Sequence, residues 1–238
     1  MESLLTLPIG DYRAVELTLR LAVTLMVMTG LLQILCLSVV TRTVRLPLAL
    51  SGVALLGAAW FESNVWVAWR DAFELAGTSY CVTGHLLAGE DRIIAWSLGL
   101  PLIFVCFGML YLDPRGKGFR SLCWIALGWA VLGPFFQIVA LIGFVLCMVH
   151  FRRILKASSE NQQGMRAVTI IAVTSMALGF FVTELGYLHL LPLGKSADVI
   201  LIRSEIVHAV CDLLALVVPG VVLLIGALKI SGENPKVA

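Results

Sequence analysis

The sequence predicts an all-α membrane protein, a bundle of seven transmembrane helices. Hydrophobic residues make up 60% of its 238 residues and charged residues only 13%, whereas soluble proteins are about 45–50% apolar and about 25% charged. The apolar residues form runs of roughly 20 residues, the length that an α-helix needs to cross a bilayer. This composition excludes a soluble enzyme and a nucleic-acid-binding protein, and we predict a single transmembrane domain over 1–238.

The apolar runs predict the helices in chain order, at about 14–40, 46–69, 91–112, 118–133, 135–156, 166–190 and 203–229. Gly133-Pro134 leaves only a tight junction between the fourth and the fifth of them. The alternative is one continuous helix across that junction, which would lower the number of spans by one.

The longest predicted connection, about 70–90, contains an alternating stretch from Gly77 to Gly84. Alternation between two glycines is typical of a short β-hairpin, so we predict one here. The chain has six cysteines without any C-x-x-C spacing. Such scattered cysteines predict neither a disulfide framework nor a metal site.

The basic residues predict the orientation of the bundle. With seven spans, the loops 41–45, 113–120 and 152–166 and the C-terminal tail lie on one side, and they carry 11 of the 17 basic residues. Because cytoplasmic loops are enriched in lysine and arginine, the N-terminus is predicted to lie outside and the C-terminus in the cytoplasm.

Ionisable residues inside the predicted spans form the candidate site. Such residues usually face the interior of the bundle, where they pair with one another. We predict a central polar cluster of Glu62, Arg92, Glu184 and Asp212. On the seventh span Glu205, His208, Asp212 and Leu216 form a stripe, and Glu205, near the outer end of its helix, has an ordinary interfacial charge as its alternative interpretation. The cluster has two open interpretations, a structural ion-pair network and a path for protons or ions.

Four segments in register resemble the microbial rhodopsins, particularly the proteorhodopsins. Arg92 to Pro101 has the spacing R-x3-W-x4-P of the third helix of that family, and Leu50 to Trp60 is similar to its second helix. Gly179 to Tyr187 is similar to the sixth helix, and Asp212 stands where the seventh helix carries its aspartate. The resemblance implies a microbial-rhodopsin type of bundle, a multi-pass protein of the bacterial inner membrane, and homo- or hetero-oligomers with rhodopsin-family protomers.

The chain departs from that family at the residues that bind and serve retinal. The position of the lysine that forms the Schiff base is Leu216, and the position of the counterion aspartate is Ala95. All five lysines lie in predicted loops, helix ends or the tail. We therefore expect no covalent cofactor, with retinal or a carotenoid bound non-covalently as the alternative. The former retinal-pocket positions are Ala95, Trp96, Gly99, Pro101, Phe180, Thr183, Tyr187 and Leu216.

These departures predict a membrane protein that is neither an enzyme nor a light-driven pump. We expect an interaction or scaffold subunit, which in one version associates with a true rhodopsin, or a receptor for a non-covalent apolar ligand. The alternative is a light-independent proton or ion pathway through Glu62, Arg92, Glu184 and Asp212.

Overall fold

A closed ring of helices forms the body of the protein. The computed structural model describes residues 5–85, 87, 89–161, 165–187, 193–194 and 196–233. Within them each helix packs on the next, and the last packs back on the first two. The helices are α1 Ile9–Leu35, α2 Arg42–Asp71, α3 Gly89–Tyr111, α4 Lys117–Leu132, α5 Gln137–Asn161, α6 Met165–Tyr187, α7 Ala197–Asp212 and α8 Val218–Glu233.

The seventh span consists of two helices in series. A π-helical turn, Leu213–Val217, joins α7 to α8 without breaking the helical path. The span therefore runs on from Ala197 to Glu233, a longer stretch than the predicted 203–229. A single π turn inserted in an α-helix is a rare feature. A regular period of 3.6 residues does not predict it, since the turn interrupts that period.

The fourth span is the shortest. Six of the helical stretches in the described part of the chain are long and apolar enough to cross a membrane by length and composition, and α4 is not among them. Its 16 residues reach about 24 Å at 1.5 Å per residue, less than the roughly 30 Å of a hydrocarbon core. A turn separates α4 from α5, so the alternative of one continuous helix is wrong.

The ends of several helices differ from the predicted ones. The first helix begins at Ile9 and the second at Arg42, several residues before the predicted starts at 14 and 46. Both extra turns contain charged residues, which apolar runs do not register. The predicted end of the sixth helix, at 190, lies outside the described residues.

A small antiparallel sheet covers one end of the bundle, which we call the sheet end. Its strands are β1 Thr6–Pro8, β2 Phe73–Ala76 and β3 Ser79–Val82, in the order β1-β3-β2. The predicted hairpin is thus present, but Gly77 lies in its turn, with φ +66°, and not at its edge. Such a positive φ favours glycine. β1 was not predicted from the sequence, because three residues are too few to show an alternating pattern.

Aromatic rings anchor the sheet to the helices. Tyr12 of α1 stacks on Tyr80 of β3 with ring centroids 3.7 Å apart, and on Trp69 of α2 at 5.7 Å. The sheet therefore ties the start of α1 to the connection between α2 and α3. This contact fixes the end of the bundle closest to the candidate site.

Candidate functional site: a buried arginine with three carboxylates

Arg92 of α3 lies at the centre of a buried charged group. Glu62 reaches it from α2, and Glu205 and Asp212 reach it from α7. Arg92 is only 2% exposed, and Glu62 and Asp212 are equally well buried. We call these four residues the arginine cluster.

Each carboxylate binds a different nitrogen of the guanidinium. The Nη2 of Arg92 lies 3.1 Å from Oε1 of Glu62, its Nη1 lies 3.2 Å from Oε2 of Glu205, and its Nε lies 3.3 Å from Oδ2 of Asp212. The indole Nε1 of Trp96, one turn further along α3, donates to Oδ1 of Asp212. The planar fork of an arginine suits this kind of multiple pairing, which a lysine could not reproduce.

Two of the predicted assignments need correction. Glu184 does not pair with Arg92; its Oε2 accepts a hydrogen bond of 2.9 Å from Nε2 of Gln137, on α5. Glu205, which was not assigned to the predicted cluster, is a member of the arginine cluster. This position agrees with the predicted stripe, because Glu205 and Asp212 are seven residues apart and therefore share one helix face.

A cavity lies beside the cluster, between α3, α4, α5 and α6. Its free volume is only about 30 Å³, room for one or two water molecules, and we call it the side cavity. Its lining is mostly aromatic and apolar with a few polar groups, among them Arg92, Ser97, Gln137, Thr183 and Glu184. The indole nitrogen of Trp129, which also lines it, is buried and has no hydrogen-bond partner in the described part of the chain.

Leu216 lies in the π turn of the seventh span and packs against α3. A Cβ atom added at Gly99 would lie 3.0 Å from Cδ2 of Leu216, so the leucine side chain fills the space beside this glycine. Ala95, one turn before Gly99, is also buried. The contact between Leu216 and Gly99 is therefore closely packed.

Phe180 of α6 occupies a second predicted pocket position. Its ring stacks on Phe144 of α5, with centroids 4.0 Å apart and planes at 4°. It also makes an edge contact of 6.0 Å with Trp129. Of the other predicted positions, Thr183 is buried, Pro101 lies within α3, and the side chain of Tyr187 lies outside the described residues.

An apolar layer separates the arginine cluster from polar groups nearer the other end of the bundle. There Nε2 of Gln33 donates to the carbonyl oxygen of Gly220 over 2.7 Å. On α2, buried Leu55, Ala58 and Ala59 come between Glu62 and the next buried polar residue, Ser51. On the seventh span, buried Leu216 lies between Asp212 and Gly220. Along these two spans the buried polar residues thus form two groups, the arginine cluster and the group that includes Gln33 and Ser51.

Comparison with solved structures identifies the fold. The chain is similar to xanthorhodopsin, whose structure is described as that of a light-driven ion pump with dual chromophore, with a TM-score of 0.80, 17% identity, and coverage of 98% of this chain and 99% of that one. It is also similar to a thermophilic rhodopsin, with a TM-score of 0.78, 18% identity, and coverage of 98% of this chain and 99% of that one. Exiguobacterium sibiricum rhodopsin matches with a TM-score of 0.68 and 14% identity, over 92% of this chain and 98% of that one.

Neither a family model nor a curated protein sequence matches the chain. The likeness is therefore one of three-dimensional structure, and it extends over nearly the whole length of both chains. Together with the apolar helices, it makes the protein a multi-pass membrane protein. The chain has the seven-helix fold of the microbial rhodopsins.

Proposed function

We propose that this rhodopsin-fold protein forms no covalent bond with retinal and does not pump ions in response to light. It acts instead as an interaction or scaffold subunit in the bacterial inner membrane, with its N-terminus outside, in homo- or hetero-oligomers with rhodopsin-family protomers. The observation that carries the proposal is the position of Leu216. It is a leucine, packed against Gly99, at the point of the seventh span where the resemblance places the retinal lysine.

The positions of the lysines within the described residues support this proposal. A Schiff base requires a primary amine that reaches the aldehyde. Lys229 lies 13 residues beyond Leu216, which is about 20 Å along a helix. Lys117 begins α4, and Lys156 lies near the end of α5. Each of these amines therefore lies far from the level of Leu216.

The arrangement of carboxylates supports it too. A protonated Schiff base is a buried cation and needs a carboxylate of its own, since an unpaired buried charge is strongly unfavourable. Position 95 is an alanine, and Asp212 is already bound to Arg92 and Trp96. The packing of Leu216 and the lack of a vacant counterion both argue that the chain does not fit covalent retinal.

The test is to add all-trans retinal to the purified protein and to the double variant Leu216→Lys with Ala95→Asp. The wild type is expected to keep the spectrum of free retinal, whereas the double variant gains a visible band that hydroxylamine bleaches. Leu216→Met with Ala95→Asp is the matched control, since it changes the packing without supplying an amine. A hydroxylamine-bleachable pigment formed by the wild type would overturn the proposal.

A second candidate function is a receptor for a non-covalent apolar ligand, such as retinal or a carotenoid. The feature that favours it is an apolar groove of about 340 Å³ between α3 and α4, whose lining includes Pro101, Leu102 and Ala126. Ligand-binding sites are typically apolar hollows of about 300–1,000 Å³. In the same titration, this function predicts a shifted or structured retinal band that hydroxylamine leaves unchanged.

The light-independent proton pathway has less support. It would run through the arginine cluster and Glu184, but Glu184 bonds to Gln137. The apolar layer around Leu55 and Leu216 also interrupts the path across the bundle. We therefore rank it below the other two functions.

A further inference from the structure

Two arginines share one tryptophan ring on the lipid-facing side of the sheet end. The guanidinium carbon of Arg20, on α1, lies 5.5 Å from the centroid of the Trp66 ring, on α2. The guanidinium carbon of Arg70, one turn after Trp66, lies 5.8 Å from the same centroid. We call these three residues the Trp66 site.

Both arginines lack an acidic partner within the part of the chain that the structure describes. No carboxylate oxygen there lies within 4.0 Å of either guanidinium. This holds although Glu16 lies one turn from Arg20 and Asp71 follows Arg70. Arg92, by contrast, is surrounded by three carboxylates. The Trp66 site therefore holds two positive charges that contact the same ring and form no ion pair within the described residues, an arrangement that favours a bound anion.

The surroundings of the site place it against lipid. Both arginines are exposed and Trp66 is half-buried. The apolar neighbours Leu17, Leu21 and Val67 are 67%, 50% and 48% exposed, so this face contacts hydrocarbon. Trp66 is also only one helical turn from Glu62, on the side towards the sheet end. Tryptophan is enriched where the bilayer meets water, and this is also the level of the lipid phosphates.

We propose that the Trp66 site binds the phosphate group of a phospholipid in the leaflet at the sheet end. Guanidinium groups pair with phosphate through two parallel N–H···O hydrogen bonds, and an arginine also stacks on an aromatic face. Trp66 positions both guanidinium groups through contacts to its ring, and the exposed leucines and valine contact the acyl chains. This inference does not depend on how the protein treats retinal.

The experiment measures lipid binding to the full-length, delipidated protein by native mass spectrometry. The probes are phosphatidylglycerol, diacylglycerol with the same acyl chains but no phosphate, and inorganic phosphate. Phosphatidylglycerol is expected to bind at least about tenfold more tightly than diacylglycerol, since charge-assisted bonds to both arginines are lost without the phosphate. Inorganic phosphate is expected to bind weakly, because it makes no contact with the apolar neighbours.

The double variant Arg20→Gln with Arg70→Gln is expected to remove most of this preference, lowering phosphatidylglycerol affinity about tenfold. The matched control Arg13→Gln with Arg42→Gln loses the same net charge from exposed arginines elsewhere, and its affinity should stay within about twofold. Trp66→Leu keeps both charges and should weaken binding by about twofold to fivefold. Circular dichroism verifies that each variant is folded.

Three results would overturn the inference. One is equal binding of phosphatidylglycerol and diacylglycerol. Another is an equal loss of affinity in the two double variants, which would indicate a general charge effect. The third is inorganic phosphate binding as tightly as the lipid, which would assign the site to a soluble anion.

Discussion

Arg92 pairs with all three carboxylates of the cluster, although its single charge can offset only one of theirs, and this makes it the most sensitive residue of the candidate site. If all three acids were ionised without it, the interior of the bundle would hold several uncompensated negative charges. Removing one partner of a buried ion pair typically costs about 3–5 kcal/mol, because the remaining charge is left without compensation. The effect of changing this residue should therefore be large even if the cluster has only a structural role.

We predict that Arg92→Gln lowers the free energy of unfolding by about 3 kcal/mol at neutral pH. The difference from the wild type should shrink as the pH falls, because protonation removes the repulsion among the carboxylates in the variant and weakens the ion pairs in the wild type. Unfolding with increasing sodium dodecyl sulfate in bicelles at several pH values measures both effects.

The control is Arg13→Gln, an exposed arginine that should change the unfolding free energy by less than about 0.5 kcal/mol. A loss for Arg92→Gln as small as this, or one that grows at low pH, would mean that the cluster does not depend on this guanidinium.

The composition of the cluster was partly predictable from the sequence. Charges inside apolar runs must face the bundle interior, which singled out Glu62, Arg92 and Asp212, and the structure brings these three into contact. Glu205 was not assigned to the predicted cluster because it lies near a helix end, yet the side chain of Arg92 is long enough to reach it. The partner of Glu184 could not be predicted, since Gln137 is an uncharged residue on another helix.

At the scale of the elements, α1 and α2 approach each other closely at two glycines. A Cβ atom added at Gly30 would lie 3.0 Å from the carbonyl oxygen of Gly52, and one added at Gly52 would lie 3.1 Å from that of Gly30. Gly57, also on α2, has no atom within 4 Å of the corresponding position. Small residues at helix crossings let the backbones of membrane helices come together.

We predict opposite effects of alanine at these glycines. Gly30→Ala should destabilise the protein by about 1–3 kcal/mol, because the added methyl group forces the two backbones apart. Gly57→Ala should leave stability unchanged or raise it by up to about 1 kcal/mol, since alanine favours the helix and meets no obstacle. Detergent unfolding of the two variants provides the comparison. If the Gly30→Ala protein were as stable as the Gly57→Ala protein, α1 and α2 would be able to move apart at this crossing without loss of stability.

The number and order of the helices followed from the apolar runs, whereas their irregularities did not. Hydrophobicity averaged over about 20 residues does not register a π turn or a three-residue strand. The predicted stripe of Glu205, His208, Asp212 and Leu216 assumed a constant helical period, but the π turn at Leu213–Val217 interrupts it. The junction between the fourth and fifth spans was left open for a related reason: whether α4 ends at Leu132 depends on the turn at Gly133-Pro134, not on composition.

At the scale of the whole molecule, the two polar groups lie on opposite sides of the apolar layer. A proton crossing the bundle would have to pass Leu55 and Leu216, both of which are fully packed. Buried apolar regions of this kind exclude water, which a proton path requires. The bundle is therefore expected to be impermeable to protons.

We predict that liposomes containing the wild-type protein show no more proton flux than empty liposomes, in light or in darkness. Glu184→Gln should not change this value, because its carboxylate is bound to Gln137 and not to the arginine cluster. A pH-sensitive dye inside the liposomes measures the flux. Flux that is present in the wild type and lost in Glu184→Gln would establish the proton pathway in place of the scaffold function.

The sheet at the end of the bundle has a consequence for biogenesis. β1 pairs only with β3, and Pro8 lies opposite Ser79, about 70 residues later in the chain. While the ribosome is still synthesising the second span, the first strand has no hydrogen-bonding neighbour. β1 thus finds its place in the sheet late, only after the whole second span and the hairpin that follows it have been synthesised.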